Sequence, residues 1–319
     1  MTSQPDIVTD RNRIAIIGAG HVGATAAYAL MLRALAREIV LIDNDTVLAD
    51  AEAADLSDAN ALARPCHVFA GTYADAASAQ IAVITAGAAT HGLETRLSVS
   101  AQSAAIVTEC VGQLMGSGFS GIILVAANPV DLMTLVALRR SEFNPARVIG
   151  TGTLLDSSRL RQSLAETLNV APGSIDGLVL GEHGDSEVAA FSTVRIGGVP
   201  LARFCRSGEA PDRDELAREV RGAGPRIVEG KGYTSFGVAT AIVRICEVIL
   251  RDERAVLPVS TLLTGQYGIT NICLSLLCVL GGNGVERILS PILTEAEKTA
   301  LRASATVLKN ALAAIDQAA

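Results

Sequence analysis

A chain of 319 residues, half of them hydrophobic and 18% charged, has room for about two domains and is too apolar to be intrinsically disordered. Its formal charge of −7, with Lys and Arg scattered, argues against nucleic acid as a partner, because a phosphate backbone wants a basic face. No window approaches the roughly 18 uninterrupted apolar residues of a membrane span, since the richest stretch, 121–138, is broken by Asn128-Pro129 and Asp131. The opening MTSQPDIVTDRNR lacks the apolar core of a signal peptide, so the cytoplasm is the expected compartment. The six cysteines (66, 110, 205, 246, 273 and 278) form no C-x-x-C pair and are expected to be reduced, mostly buried, small hydrophobes.

In chain order, Arg13 to Ile17 reads as a buried strand, followed by a glycine turn and an Ala-rich helix from about His21 to Ala36. Glu38 to Ile42 is a second strand and Thr46 to Ala63 a second helix. Strands are expected at Cys66 to Ala70, Ile81 to Thr85 and Gly121 to Ala126, with a helix from about Leu97 to Met115 between the last two. Short Ile- and Val-rich strands alternating with helices predict a parallel, doubly wound sheet of the Rossmann type, with its ligand at the carboxyl ends of the strands. After about Gly150 the pattern changes. A helix from Thr153 to Leu168 stops at Asn169, and short strands follow at Ile175 to Leu180, Glu187 to Ile196 and Val199 to Phe204, the last two joined by the Gly197-Gly198 hairpin. Helices from about Asp212 and from Tyr233 to Arg251, strands near Ala255 to Leu263 and Ile272 to Leu280, and a helix from about Thr294 complete an α+β half. The expected division is a dinucleotide-binding domain over 1–150 and an α+β substrate domain over 151–319, with a cleft between them.

Gly18-Ala19-Gly20-His21-Val22-Gly23 is G-x-G-x-x-G between a strand and a helix. The first glycine permits the tight turn, the second lets a pyrophosphate approach the backbone, and the third lets helix and strand pack closely. Asp43 ends the second strand twenty residues past Gly23, where an acid binds ribose hydroxyls. A carboxylate there repels a 2′-phosphate, so the expected cofactor is NAD. His21 contributes its backbone to this loop, with its side chain outside it. Ala86 and Gly87 after the fourth strand, and Ala126 and Asn128 after the fifth, lie on the same ligand side.

In Gly181-Glu182-His183-Gly184-Asp185 a histidine between glycines ends a strand, which exposes its ring to a cleft. Asp156 opens a helix that would border the same cleft, and Arg159 lies one helical turn on. Arg96 closes a glycine-bearing loop. Together GAGHVG, the AGA…ETRL loop, NPVD, GTLLDSSR, GEHGD and KGYT resemble the L-lactate/malate dehydrogenase family in order and spacing, over nearly the whole chain from about Arg13. KGYTSF, 231–236, looks more like the lactate branch.

Reducing a 2-oxo acid requires a hydride on the carbonyl carbon and a proton on its oxygen. An imidazole can give that proton and take it back. The resemblance assigns this to His183, with Asp156 on its other ring nitrogen. It gives Arg159 the substrate carboxylate, which a planar two-pronged donor suits. Arg96 would polarise the carbonyl once its loop closes, Asn128 would orient it, and Thr234 would line the pocket. NADH supplies the hydride and no metal is needed. Tyr73 matches a position the family uses near adenosine.

Two positions depart from the family's pattern. Thr90 stands where lactate enzymes usually carry Gln and malate enzymes Arg, so it cannot pair with a second carboxylate and leaves room for a larger side chain. Oxaloacetate is then a poor substrate unless His91 substitutes; alternatively Thr90 is neutral and the loop folds differently. Arg161 matches one residue that binds fructose 1,6-bisphosphate in many bacterial lactate dehydrogenases, but Asp176 replaces the histidine, which predicts no activation by that effector. The competing readings are a malate dehydrogenase and a non-catalytic NAD(H)-binding module. Relatives form dimers or tetramers, so a homo-oligomer is expected.

Overall fold

The structure, a computed structural model, describes residues 12–63, 65–88, 96–205 and 210–318, without the side chains of 96–98 and 318. The first half runs β1 (Arg13–Ile17), α1 (His21–Leu32), β2 (Glu38–Ile42), α2 (Thr46–Asn60), β3 (His67–Ala70), α3 (Tyr73–Ala76), β4 (Ile81–Ile84), α4 (Arg96–Gly116), β5 (Ile122–Val125), α5 (Val130–Ser141) and β6 (Val148–Gly150). All six strands are parallel, in the order β3-β2-β1-β4-β5-β6. The order reverses between β1 and β4, which opens a crevice at their carboxyl ends. Continuous apolar runs suit strands covered on both faces: all four residues of β4 and of β5 are buried. Each fully buried Ile contributes about 1.5–3 kcal/mol relative to exposure.

The second half runs α6 (Leu154–Leu168), β7 (Ile175–Asp176), β8 (Val179–Leu180), β9 (Val188–Ala189), β10 (Arg195–Ile196), β11 (Val199–Pro200), α7 (Leu201–Phe204), α8 (Arg213–Lys231), α9 (Phe236–Leu250), β12 (Ala255–Thr264), β13 (Thr270–Gly281), β14 (Gly284–Ile288) and α10 (Glu295–Ala318). The long antiparallel strands β12, β13 and β14 join the parallel sheet through Ser260 of β12 against Gly150 of β6, making one sheet of nine strands. The two halves therefore share a sheet. Apolar clusters fill both faces of it, and a third packs α6 and α8 around Leu160, Leu164, Leu216 and Val220.

Several expected elements need correction. Residues 175–180 form two strands, not one: β7 pairs with β10, whereas β8 pairs with β9. The expected strand 187–196 is likewise interrupted by a 3-10 turn at Phe191–Thr193, and 199–204 becomes β11 followed by α7. The helix expected from Tyr233 begins at Phe236, because Gly232 in the left-handed region (φ +85°) ends α8 and leaves 233–235 as a turn. Elements α3, α5, β6 and β14 have no counterpart in the expected set. The Gly197-Gly198 turn has both residues at positive φ, as a tight hairpin demands.

Candidate active site

The glycine turn sits in the crevice between β1 and β4. Gly18 has φ +107°, and a Cβ there would press on the backbone of Ala86 and the hydroxyl of Thr85. That hydroxyl donates to the Gly18 carbonyl at 2.7 Å. A Cβ on Gly23 would run into the Gly18 carbonyl oxygen, so the third glycine lets the first turn of α1 lie against the loop. Gly20 differs: a Cβ there would meet nothing within 4 Å among the described residues. It is the N-cap of α1 and carries no side-chain cap, so the free N–H groups of the first turn face open space. Such a helix end favours a phosphate.

Asp43 does more than the sequence suggested. Its Oδ2 accepts from the Ala19 N–H at 2.6 Å and its Oδ1 from the Asp45 N–H at 2.9 Å, so it braces the glycine loop. Each oxygen keeps a second lone pair for a ribose hydroxyl. Ala86 and Gly87 follow β4, and Ala126 and the exposed Asn128 follow β5, lining the same edge. Open glycine, uncapped helix, ribose acid and small flanking residues fit a dinucleotide. Val22 packs inward on one core cluster, and Tyr73 packs against the other, which includes Cys110 of α4. The His21 ring turns away from the turn and stacks on Tyr233, centroids 3.8 Å apart and planes 11° apart.

His183 lies at the same edge of the sheet. Its Nδ1 is 2.5 Å from Oδ2 of Asp156, which is 1% exposed in the first turn of α6. The other Asp156 oxygen accepts from Arg159 Nη1 at 2.9 Å. One buried carboxylate thus holds an imidazole and a guanidinium, and both cations keep an accessible face. Burial pulls the His183 pKa down, but the hydrogen bond and charge of Asp156, then the charges of Asp131 and Glu187, outweigh it and push it up to about 9. Burial likewise disfavours the Asp156 carboxylate, yet the contacts and charges of His183 and Arg159 hold it below the usual range.

The loop under His183 is fixed from several sides. Gly181, at φ +90°, exchanges both backbone hydrogen bonds with Ser275 of β13 at 3.0 Å. Ser304 of α10 accepts from the Glu182 N–H at 2.9 Å. Asp131 Oδ2 accepts from the His183 N–H at 2.7 Å and its Oδ1 from the Ser260 hydroxyl at 2.6 Å. Asp131 stands one turn after Asn128-Pro129, so it ties the His183 loop to the end of β5. Burial raises its pKa to about 6, against the pull of the Ser260 and His183 hydrogen bonds.

Sequence reasoning gave Asp131 no role, although it closes the NPVD segment; a carboxylate in so apolar a stretch was the available signal. Glu187 was missed too. It is 6% exposed, and burial followed by the charge of Asp156 pushes its pKa up to about 8, against His183, Arg221 and Arg159. Thr234, half-buried, sits in the turn between α8 and α9. Arg96 opens α4, but its side chain, like Thr90 and His91, lies outside the described residues. All six cysteines are free, five of them buried and Cys205 partly so. Among the described residues no His, Cys, Asp and Glu cluster could hold a metal, and no helix is long and apolar enough to cross a membrane.

Comparison with known proteins agrees with this geometry. Residues 12–150 match the model of the lactate/malate dehydrogenase NAD binding domain, and 153–318 match that of the family's alpha/beta C-terminal domain. The chain is 42% identical to L-lactate dehydrogenase of Thermoanaerobacter pseudethanolicus, over 96% of this chain and 99% of that one. It is also 42% identical to the Thermus aquaticus L-lactate dehydrogenase, over 95% and 99%. The minor L-lactate dehydrogenase of Enterococcus mundtii, in its ligands-bound crystal form, superposes with a TM-score of 0.92 at 37% identity, covering 95% of this chain and 98% of that one.

Proposed function

We propose, for a chain that belongs to the lactate/malate dehydrogenase family and is an NAD-dependent 2-hydroxy acid dehydrogenase, that His183, Asp156, Arg159 and Arg96 carry the reaction on L-lactate-like monocarboxylic acids. In the reductive direction the His183 imidazolium gives its Nε2 proton to the substrate carbonyl oxygen, and in the oxidative direction the neutral ring takes it back. Asp156 holds Nδ1, which fixes the tautomer and favours the charged ring. Arg159, oriented by the same carboxylate, grips the substrate carboxylate, and Arg96 stabilises the developing alkoxide. Asn128 orients the carbonyl, and Thr234 lines the pocket. Gly18, Gly20, His21, Val22, Gly23 and Asp43 hold the nucleotide, with Tyr73, Ala86, Gly87 and Ala126 around it. NAD, when bound, supplies or accepts the hydride.

The observation that carries this reading is the shared carboxylate: Asp156 on both His183 and Arg159, with Asp131 holding the loop to the end of β5. Thr90 offers no cation to a second carboxylate, so the substrate is a monocarboxylic 2-oxo acid, with side chains larger than methyl accepted. The test is kcat/KM on pyruvate, 2-oxoisocaproate, phenylpyruvate and oxaloacetate, followed by NADH absorbance. Turnover of the monocarboxylates supports the reading, and a strong preference for oxaloacetate overturns it. We also infer a cytoplasmic homo-oligomer, dimer or tetramer, as the family resemblance implies.

A further inference from the structure

We propose that the His21–Tyr233 stack is a clasp that couples nucleotide binding to the 2-oxo acid pocket, with His21 acting as a positioning residue through Tyr233. The proposal rests on the site described above. His21 is the first residue of α1, directly after Gly20, whose open side receives the phosphates. Its ring lies nearly parallel to that of Tyr233 at 3.8 Å. Tyr233 immediately precedes Thr234 in the turn between α8 and α9.

That turn has little else beneath it. Every residue from Pro225 to Tyr233 is exposed, so the end of α8 lacks a buried anchor of its own. The stacked rings supply a contact in its place. Lys231 Nζ stands 4.3 Å from the Tyr233 centroid and 4.4 Å from that of Phe236, so a cation and two rings continue the contact along the turn into α9. A nucleotide that settles the glycine loop fixes His21, His21 fixes Tyr233, and Tyr233 fixes the backbone that presents Thr234. By linkage, the 2-oxo acid must tighten the nucleotide by the same factor.

The test uses His21→Ala, His21→Phe, Tyr233→Ala and the His21→Ala/Tyr233→Ala double variant of the full chain. NADH Kd is measured by fluorescence with and without oxamate, a non-reacting analogue of a 2-oxo acid, alongside KM for pyruvate and the melting temperature. An aromatic pair of this kind is worth about a twofold to tenfold change in affinity. His21→Ala is expected to weaken NADH by that factor, raise KM more than it lowers kcat, and shrink the tightening by oxamate. His21→Phe should restore all three, and the double variant should be no worse than Tyr233→Ala. Because both side chains are exposed, melting should hardly move. Additive losses, or a His21→Phe no better than His21→Ala, would overturn the clasp. A wild-type enzyme that turns over no 2-oxo acid would instead refute the functional reading beneath it.

Discussion

His183 and Asp156 share a hydrogen bond of 2.5 Å in which the acid is almost wholly buried and the imidazole stays partly exposed. Because that contact holds the His183 pKa above the ordinary imidazole value, the ring is charged at neutral pH and competent as an acid. Reduction of a 2-oxo acid should therefore persist at neutral pH and fall as pH rises through the His183 pKa, while oxidation should rise over the same interval. Asp156→Asn removes the charge that sustains the imidazolium, so the alkaline limb of kcat/KM for reduction should move to lower pH. The rate at neutral pH should drop about a hundredfold or more, the scale of lost acid catalysis. An unmoved limb would separate the two residues.

Arg159 gives a second reading of the same carboxylate. Its Nη1 is bound to Asp156, and among the described residues no other hydrogen bond engages its guanidinium, which leaves donors for a fork on a substrate carboxylate. Arg159→Lys keeps the charge and loses the fork. Charge-assisted hydrogen bonds are worth about 1.5–3 kcal/mol each, so kcat/KM should fall roughly 10- to 100-fold, chiefly through KM. Steady-state kinetics with a saturating nicotinamide cofactor would check this, and an unchanged KM would remove Arg159 from the substrate.

The glycines of the turn should separate folding from binding. Gly23→Ala places a methyl on the Gly18 carbonyl oxygen, a backbone atom that cannot yield cheaply, and overpacking costs about 1–3 kcal/mol. Its melting temperature should fall by several degrees with or without nucleotide. Gly20→Ala places the methyl in open space, so melting of the free protein should stay near the wild-type value. The same methyl stands where the phosphates approach, and NADH should bind at least tenfold more weakly. Thermal melts paired with fluorescence titrations distinguish the two.

Five of the six parallel strands were legible because they are short runs rich in Ile, Val and Leu that burial on two faces explains; the three-residue β6 was too short to stand out. Gly18, Gly20, Gly23 and Asp43 were legible because their spacing follows from backbone geometry. The second half was read less well: Gly177 splits 175–180 between two sheets, and pairing partners such as β10 and β9 are set by tertiary contacts, not local pattern. Helix α5 went unassigned since it is buried nearly all round, with Asp131 and Thr134 among its buried residues beside Leu132, Met133 and Leu135, so no apolar stripe marks its period. Asp131 stayed silent for a related reason: its partners, the His183 N–H and the Ser260 hydroxyl, come from distant segments.

Regulation gives the last test. Arg161 on α6 is partly buried, with the charge of Asp176 on β7 among its neighbours. In many bacterial lactate dehydrogenases that this chain resembles, the corresponding pair is Arg and His, and it receives a sugar bisphosphate. Here the second member is an anion. A bisphosphate bound there would meet a like charge where those relatives present a cationic ring, which weakens its binding. The charge of Asp176 also favours the Arg161 cation, against the burial that disfavours it. Adding fructose 1,6-bisphosphate at millimolar concentration should leave the apparent KM for pyruvate within about twofold, and Asp176→His should make KM respond. A wild-type enzyme whose KM falls sharply with the bisphosphate would show that the anion binds despite Asp176, and the electrostatic argument would fail.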